Sequence, residues 1–182
     1  EGSARDVRWT RDGRIEVRHE DGTVDIYSAD GLLEETRTAA REHEPVFAEN
    51  DVVFRQAEEG EAPQPITGND DRYFNPVLSP DGESIVYQGL YSGLYMADAD
   101  GSGEPVFLGD GNNPQWMPDS SGIIFDRTKD DGHDLVEGDV MHVDRELSEI
   151  NNLTEGDGMI SQMPAVGPDG RLWASVSGAT RG

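Results

Sequence analysis

NPVLSPDGESIVYQGLYSGLYMADADG, residues 75–101, reads as a strand, a tight turn, a second strand, a loop and a third strand. Ser79-Pro80-Asp81-Gly82 supplies the turn. Proline fixes φ for the first central position of a type I turn, aspartate accepts nearby backbone N–H groups, and glycine takes positive φ without a Cβ clash. A type I turn followed by a left-handed glycine is a common hairpin loop. Strands are therefore expected on either side, over 75–78 and over the β-branched and aromatic run Ile85-Val86-Tyr87.

Pieces of this stretch recur. Pro76-Val-Leu-Ser-Pro80-Asp81 is matched by Pro114-Gln-Trp-Met-Pro118-Asp119 and by Pro164-Ala-Val-Gly-Pro168-Asp169, three copies of P-x-x-x-P-D in a chain with only 10 prolines. Val7-Arg-Trp9-Thr-Arg-Asp12-Gly13 fits the frame without the prolines, and Pro45-Val-Phe47 opens a degraded copy with Asn50-Asp51 at its turn. Each turn is followed by a short run: Ile15-Glu16-Val17, Val52-Val53-Phe54, Ile85-Val86-Tyr87, Ile123-Ile124-Phe125 and Leu172-Trp173-Ala174. All but the first are apolar without interruption. A strand with one wet face alternates, so an unbroken run marks a strand covered on both faces.

The aligned starts Val7, Pro45, Pro76, Pro114 and Pro164 lie 38, 31, 38 and 50 residues apart. Periods of this size belong to solenoids, propellers and arrays. All-strand content joined by hairpin turns selects an all-β fold, a β-propeller of four-stranded antiparallel blades. Residues 1–182 are expected to form a single propeller domain or a fragment of one, with repeats at 7–44, 45–72, 73–112, 113–158 and 160–182. The first repeat predicts strands at 7–9, 15–19, 24–27 and 32–36, turns at Asp12-Gly13, Asp21-Gly22 and Asp30-Gly31, and outer strand plus linker over 36–44. The second is one strand short, with strands at 45–47, 52–55 and 65–67. The third is the best formed, its later strands at 94–97 and 105–108. The fourth adds 140–143 and 152–154, and an acidic insertion over 129–138 is expected to widen the loop after its second strand. The fifth supplies two strands. Four blades and a half leave sheet edges unpaired, which implies a longer propeller or self-association that completes this one.

The pattern P-x-x-SPDG-x-x-I-x-[FY], then [IL]-Y-x-x-D-x-DG-x-G, then LT, resembles the TolB-type propeller repeat. It stands here as residues 76–87, residues 94–103 and Asn152-Leu153-Thr154. The resemblance is close over 73–177 and looser over 1–72. It implies a propeller whose motif residues build blades and carry no chemistry. It further implies a protein or peptide partner, as for the periplasmic Tol–Pal component, and a periplasmic or exported location. Similar repeats form the accessory propellers of prolyl-oligopeptidase-like serine peptidases and of sugar- or lyase-associated proteins.

Composition narrows the partner classes. There are 38 acidic residues against 14 basic ones, a net charge of −24, and Lys129 is the only lysine. Phosphate contacts need clustered Lys and Arg, and the arginines here are scattered, so nucleic acid is not an expected partner. The acidity is dispersed along the chain. Adaptation to high salt is one explanation, since self-repulsion is screened when the Debye length falls to about 3 Å at 1 M; an acidic protein from a GC-rich genome is the other. With no cysteine there is no disulfide and no thiolate metal site. No apolar run approaches the roughly 18 residues of a membrane span.

Carboxylates offer the only metal candidates. Asp98-Ala-Asp100-Gly-Ser102-Gly103 opens like a calcium loop, but the twelfth position is Gly109 where a bidentate Glu is needed. A turn in which Asp98 and Asp100 accept backbone N–H groups is the simpler account. Asp126, Asp130, Asp131, His133 and Asp134 crowd one expected loop, and carboxylates with an imidazole suit a hard cation or zinc. In a chain this acidic such clustering is also expected by composition alone. No cofactor is expected, with calcium as the alternative. His19, His43, His133 and His142 have no zinc-site spacing. Ser175-Val-Ser177-Gly178 lacks the leading glycine of a nucleophile elbow. Trp9, Trp116 and Trp173 fall in expected strands, which favours packing over sugar stacking.

The expectation is therefore a non-enzymatic binding propeller, with the accessory propeller of a larger enzyme, or a carbohydrate- or metal-ion-binding propeller, as alternatives. The salt reading makes its own prediction: the melting temperature rises between low and molar NaCl as self-repulsion is screened. A melting temperature that does not change with salt removes it.

Overall fold

A computed structural model describes residues 4–10, 12–19, 23–38, 45–56, 58, 60–147, 149–156 and 158–178. Asp21-Gly22, residues 39–44 with His43, and the last four residues lie outside that set. The described chain is all-β. It separates into two compact units, one of residues 1–43 with 166–171, the other of residues 44–165 with 172–182.

The first unit is a four-stranded antiparallel meander of β1 (Ala4–Trp9), β2 (Ile15–His19), β3 (Thr23–Tyr27) and β4 (Leu33–Thr38), in the order β1-β2-β3-β4. Val24 and Ile26 alternate into its core while Thr23, Asp25 and Tyr27 are half-exposed, the period-2 pattern of a strand with one wet face. Glu16, in the one interrupted run, is buried and paired with Arg18 at 2.8 Å. A buried carboxylate needs such a partner.

The second unit opens with a three-stranded sheet of β5 (Val46–Glu49), β6 (Val52–Arg55) and β7 (Gln64–Pro65). Asn50 and Asp51 both take positive φ, 51° and 66°, which makes the β5–β6 connection a two-residue type I′ hairpin. Next comes a four-stranded sheet of β8 (Tyr73–Leu78), β9 (Ser84–Gly89), β10 (Gly93–Asp98) and β11 (Val106–Gly109). Then follow β12 (Asn112–Trp116), β13 (Gly122–Asp130), β14 (Leu135–Asp144) and β15 (Ile150–Asn152), antiparallel neighbours in that order. Finally β16 (Met159–Val166) and β17 (Leu172–Gly178) join this sheet through a single parallel pairing, Gly138 with Ile160. A Cβ on Gly138 would sit 2.7 Å from Ile160, so glycine permits the approach. The runs at Val52, Ile85 and Ile123 lie in three different sheets, each as the second strand.

Every residue of β9 is buried. Ile85 and Tyr87 pack with Val53 and Tyr73, toward the three-stranded sheet. Val86 packs with Trp116, Ile123 and Phe125, toward the following sheet. Two faces buried against two neighbours explain an apolar run without alternation. β13 repeats the arrangement over Gly122–Asp126, all buried. β17 does not: Leu172, Trp173 and Val176 are 43%, 58% and 54% exposed. β17 ends its path of paired strands, so the expected cover on both faces and the expected packing of Trp173 are absent among the described residues.

The acidic insertion also differs from expectation. Residues 129–138 do not widen a loop; they lengthen two strands, which pair as far as Asp130 with Leu135. Lys129 faces Glu137 across the hairpin, Nζ to carboxylate 3.5 Å. β-branched Thr128 and Val136 also suit a strand.

The P-D-G motif folds as expected. Gly82 donates to the Ser79 carbonyl at 2.9 Å and takes φ 78°. The same bond joins Gly13 to Thr10, Ser120 to Met117 and Gly170 to Gly167. Asp81, Asp119 and Asp169 each accept the amide two residues on, at 3.0, 3.0 and 3.1 Å. Ser120 stands where glycine is usual, at φ 62°, and its hydroxyl accepts the Asp81 amide at 3.1 Å. Arg145 also clasps that turn, bonding Asp81, Glu83 (3.1 Å) and Ser84 (3.0 Å), and the Trp116 indole donates to the Val77 carbonyl at 2.9 Å.

The first proline of each motif marks a second feature. Asn75, Asn113 and Met163 immediately precede Pro76, Pro114 and Pro164, and all three are left-handed, at φ 48°, 51° and 51°. The strand register shifts there, between Phe74 and Val77 and between Asn112 and Gln115. β8 and β12 therefore each carry a bulge at the left-handed residue.

Two tests follow from these turns. The Asp81 carboxyl is held down at about 2 by the Ser79 hydroxyl, then the Glu83 amide and Arg145. A depressed folded pKa stabilises above the ordinary value of 3.8, and that contribution is lost as pH falls toward 2. The difference in urea midpoint between the native chain and Asp81→Asn is thus expected to be full at neutral pH and to vanish across that window. Met163 is exposed, so Met163→Val tests the left-handed bulge without touching the core. Denaturation should show a loss of about 1–3 kcal/mol for valine and a change within about 1 kcal/mol for Met163→Gly.

Candidate functional site

Beside the left-handed residues of β8, β12 and β16, side chains converge on one lip. A cleft of about 220 Å³ opens there, lined by Phe74, Asn75, Gln88, Asn112, Asn113, Asp126, Thr128 and Gln162. The lining carries five carboxamides and a carboxyl but no Lys or Arg.

Gln88 and Asp126 occupy equivalent places, each closing the apolar run of a second strand. Each takes the amide of the left-handed residue in its own first strand: Asn75 Nδ2 donates to Gln88 Oε1 at 3.1 Å, and Asn113 Nδ2 to Asp126 Oδ2 at 2.8 Å. Each also reaches onward. Gln88 Nε2 donates to the Gly111 carbonyl (3.3 Å) and to Asn112 Oδ1 (3.2 Å), while Asp126 Oδ2 accepts the Met163 amide at 2.6 Å. These bonds hold the strained residues. Gly111 seats the lip on the core, since a Cβ there would meet the Phe125 ring at 2.6 Å.

The two rungs differ in one respect. Both polar groups of the Gln88 carboxamide are bonded. Asp126 is 1% exposed, and its Oδ1 has no hydrogen-bond partner among the described residues.

A second cleft, about 410 Å³, is lined by Asn50, Asp51, Asn69, Asp70, Asp71, Arg72 and Tyr91. All three of its carboxylates are internally engaged, Asp70 with Tyr73. Asp71 accepts Ser92 and the Tyr91 amide, and the Ser92 hydroxyl leads the causes that lower its pKa. Arg72 pairs with Asp51 at 3.1 Å.

The structure does not gather the sequence-derived metal candidates. Asp98 ends β10 and Asp100 lies in the turn after it, where Asp100 accepts the Ser102 amide at 2.8 Å and Asp98 the Ser102 hydroxyl at 3.4 Å. Bonds from Ser102 lower the Asp100 pKa. Asp130, Asp131 and Asp134 stand at the exposed β13–β14 tip. Asp130 accepts the Gly132 amide at 2.9 Å, and Asp131 those of His133 and Asp134 at 3.0 Å each, which lowers its pKa. Asp126 is not in that loop: it lies inside β13, four residues and about 13 Å along the strand from Asp130. Among the described residues no group of three or more His, Asp or Glu is placed to hold a metal ion.

The cleft residues themselves, Asp126 apart, were not singled out in the sequence. The signal was present in the repeated Asn-Pro of Asn75-Pro76 and Asn113-Pro114, and in the polar residue that ends each buried run.

No protein-family model and no curated protein sequence matches the chain. Solved structures do. The protein described as TolB of Agrobacterium tumefaciens superposes with TM-score 0.55 at 18% identity, covering 99% of this chain and 72% of its own. The tricorn protease matches with TM-score 0.56 at 14% identity, covering 94% of this chain but 18% of the protease. A puromycin hydrolase matches with TM-score 0.52 at 16% identity, covering 90% of this chain and 34% of the hydrolase. At these identities the likeness concerns the fold. Among the described residues no helix is long and apolar enough to cross a membrane. Taken with the stacked antiparallel sheets, these likenesses make the chain's fold that of a TolB-like β-propeller.

Proposed function

We propose that this chain is a non-enzymatic, exported binding module that takes a protein or peptide segment at the carboxamide-lined cleft. The observation that carries the proposal is the convergence of amide side chains from β8, β12 and β16 on one lip. A carboxamide offers a donor and an acceptor together, which suits the alternating N–H and C=O groups of an extended peptide. The backbone strain at Asn75, Asn113 and Met163 supports this, since costs of about 1–3 kcal/mol per residue persist where surroundings enforce them, often at ligand sites.

A second reading, the accessory propeller of a larger peptidase, is favoured by the way this chain matches only a portion of the tricorn protease and of the puromycin hydrolase. A strand followed by G-x-S-x-G in the same reading frame would establish it.

Selection of a displayed random-peptide library against the full chain tests the first reading. Enriched peptides should bind at least about tenfold more weakly to the Asn75→Ala/Gln162→Ala double variant, as expected when polar contacts of about 1 kcal/mol each are lost. They should also stay intact on incubation, by mass spectrometry. Failure to enrich, or binding indifferent to the substitutions, overturns the site; cleavage overturns the non-enzymatic assignment.

A further inference from the structure

We propose that the cleft takes a primary ammonium group, a lysine side chain or the amino terminus of a bound peptide, with Asp126 as its counter-charge. The inference rests on the peptide-binding reading above and names the group that anchors the ligand.

The repeat supplies an internal control. At the same place in two successive sheets, Gln88 is neutral and has both its polar groups bonded within the protein, while Asp126 keeps one oxygen without a donor. Both side chains are buried, at 5% and 1% exposure. Burying a carboxylate with an uncompensated oxygen is costly, and a glutamine there would have avoided the cost. An aspartate at this place is accounted for by a donor that arrives from outside.

The chemistry of that donor follows from the lining. Among the described residues no cationic side chain lines the cleft, so the complementary charge is positive. A guanidinium binds a carboxylate through two parallel N–H···O bonds and needs both oxygens, but Oδ2 already accepts Asn113 and Met163. A hard divalent ion takes about six to eight oxygens, several of them from carboxylates, and this lining has one carboxyl. An ammonium asks for one charged acceptor and two neutral ones. Amide oxygens of Asn75 and Gln162 and the Thr128 hydroxyl supply the latter, and the ring of Phe74 offers apolar surface to the attached methylenes. The net charge of −24 raises the local concentration of any cation.

The test titrates ethylammonium chloride into ¹⁵N-labelled full chain and follows two reporters, the Met163 backbone amide and the Asn113 side-chain amide, which both donate to Asp126. Saturable shifts are expected with ethylammonium and none with tetramethylammonium, which has the charge without the N–H groups, at matched ionic strength. Asp126→Asn, isosteric and still able to accept both internal bonds, should weaken binding at least about tenfold. Equal shifts with tetramethylammonium, tighter binding of calcium chloride at the same reporters, or unchanged affinity in Asp126→Asn would each overturn the proposal. Should Asp126→Asn not fold, the two-cation comparison on the native chain decides. In a second arm, selected peptides are remade with norleucine for lysine, or with an acetylated amino terminus; the change that abolishes binding identifies the source of the ammonium. Peptides that bind regardless of both changes sink the ammonium and leave the scaffold standing. Ethylammonium binding without any peptide binding does the reverse.

Discussion

Ile85 and Tyr87 lean toward one sheet while Val86, between them, leans toward the next, and the second compact unit depends on this two-sided burial of β9. Each such side chain, fully removed from water, contributes about 1.5–3 kcal/mol, whereas an exposed ion pair contributes roughly 0–1 kcal/mol. Apolar stacking therefore holds the sheets face to face, and the polar bonds between them decide alignment. The Trp116 indole on the Val77 carbonyl and the Ser120 hydroxyl on the Asp81 amide are bonds of that kind. Arg145 adds the one multiply bonded cation on a turn otherwise rimmed with carboxylates.

With the sheets aligned, the bulges acquire a purpose. A regular first strand would keep its opening residues in the ladder. The left-handed residues before Pro76 and Pro114 break the register, and the side chains beside them reach a common edge. The conformation runs against the usual extended preference of a residue before proline. It is maintained by Gln88 and Asp126, which reach across from the second strands. Scaffold and site thus share a motif: its second half makes the turn and its first half makes the lip.

Much of the architecture was legible because turn chemistry and burial are local. Pro-Asp-Gly fixes a reversal within four residues, and an unbroken apolar triplet declares two covered faces at β9 and β13. Context decided otherwise elsewhere. Leu172-Trp173-Ala174 has the same apolar signature, yet a strand at the end of a path finds no second neighbour among the described residues. Residues 129–138 looked like a loop by charge, but cross-strand pairing outweighed polarity. The site was less legible still. Composition drew attention to aspartates that accept nearby backbone amides, whereas the unusual one, Asp126, is distinguished only by its neighbours on β12 and β16, distant in sequence.

Two outer strands finish in an unusual way. The Val53 amide bonds to the Thr67 hydroxyl at 3.0 Å, where a ladder would present a backbone carbonyl, and the Val140 amide bonds to the Thr154 hydroxyl at 3.0 Å in the same manner. Each threonine stops the pairing with its side chain and lets the backbone depart. The outer margins of these sheets are accordingly short, three residues in β15 and two in β7, and they offer an incoming strand almost no continuous row of donors and acceptors to extend. These two margins are thereby protected against edge-to-edge aggregation and fibril growth, by a residue whose part in the repeat is otherwise only to end it.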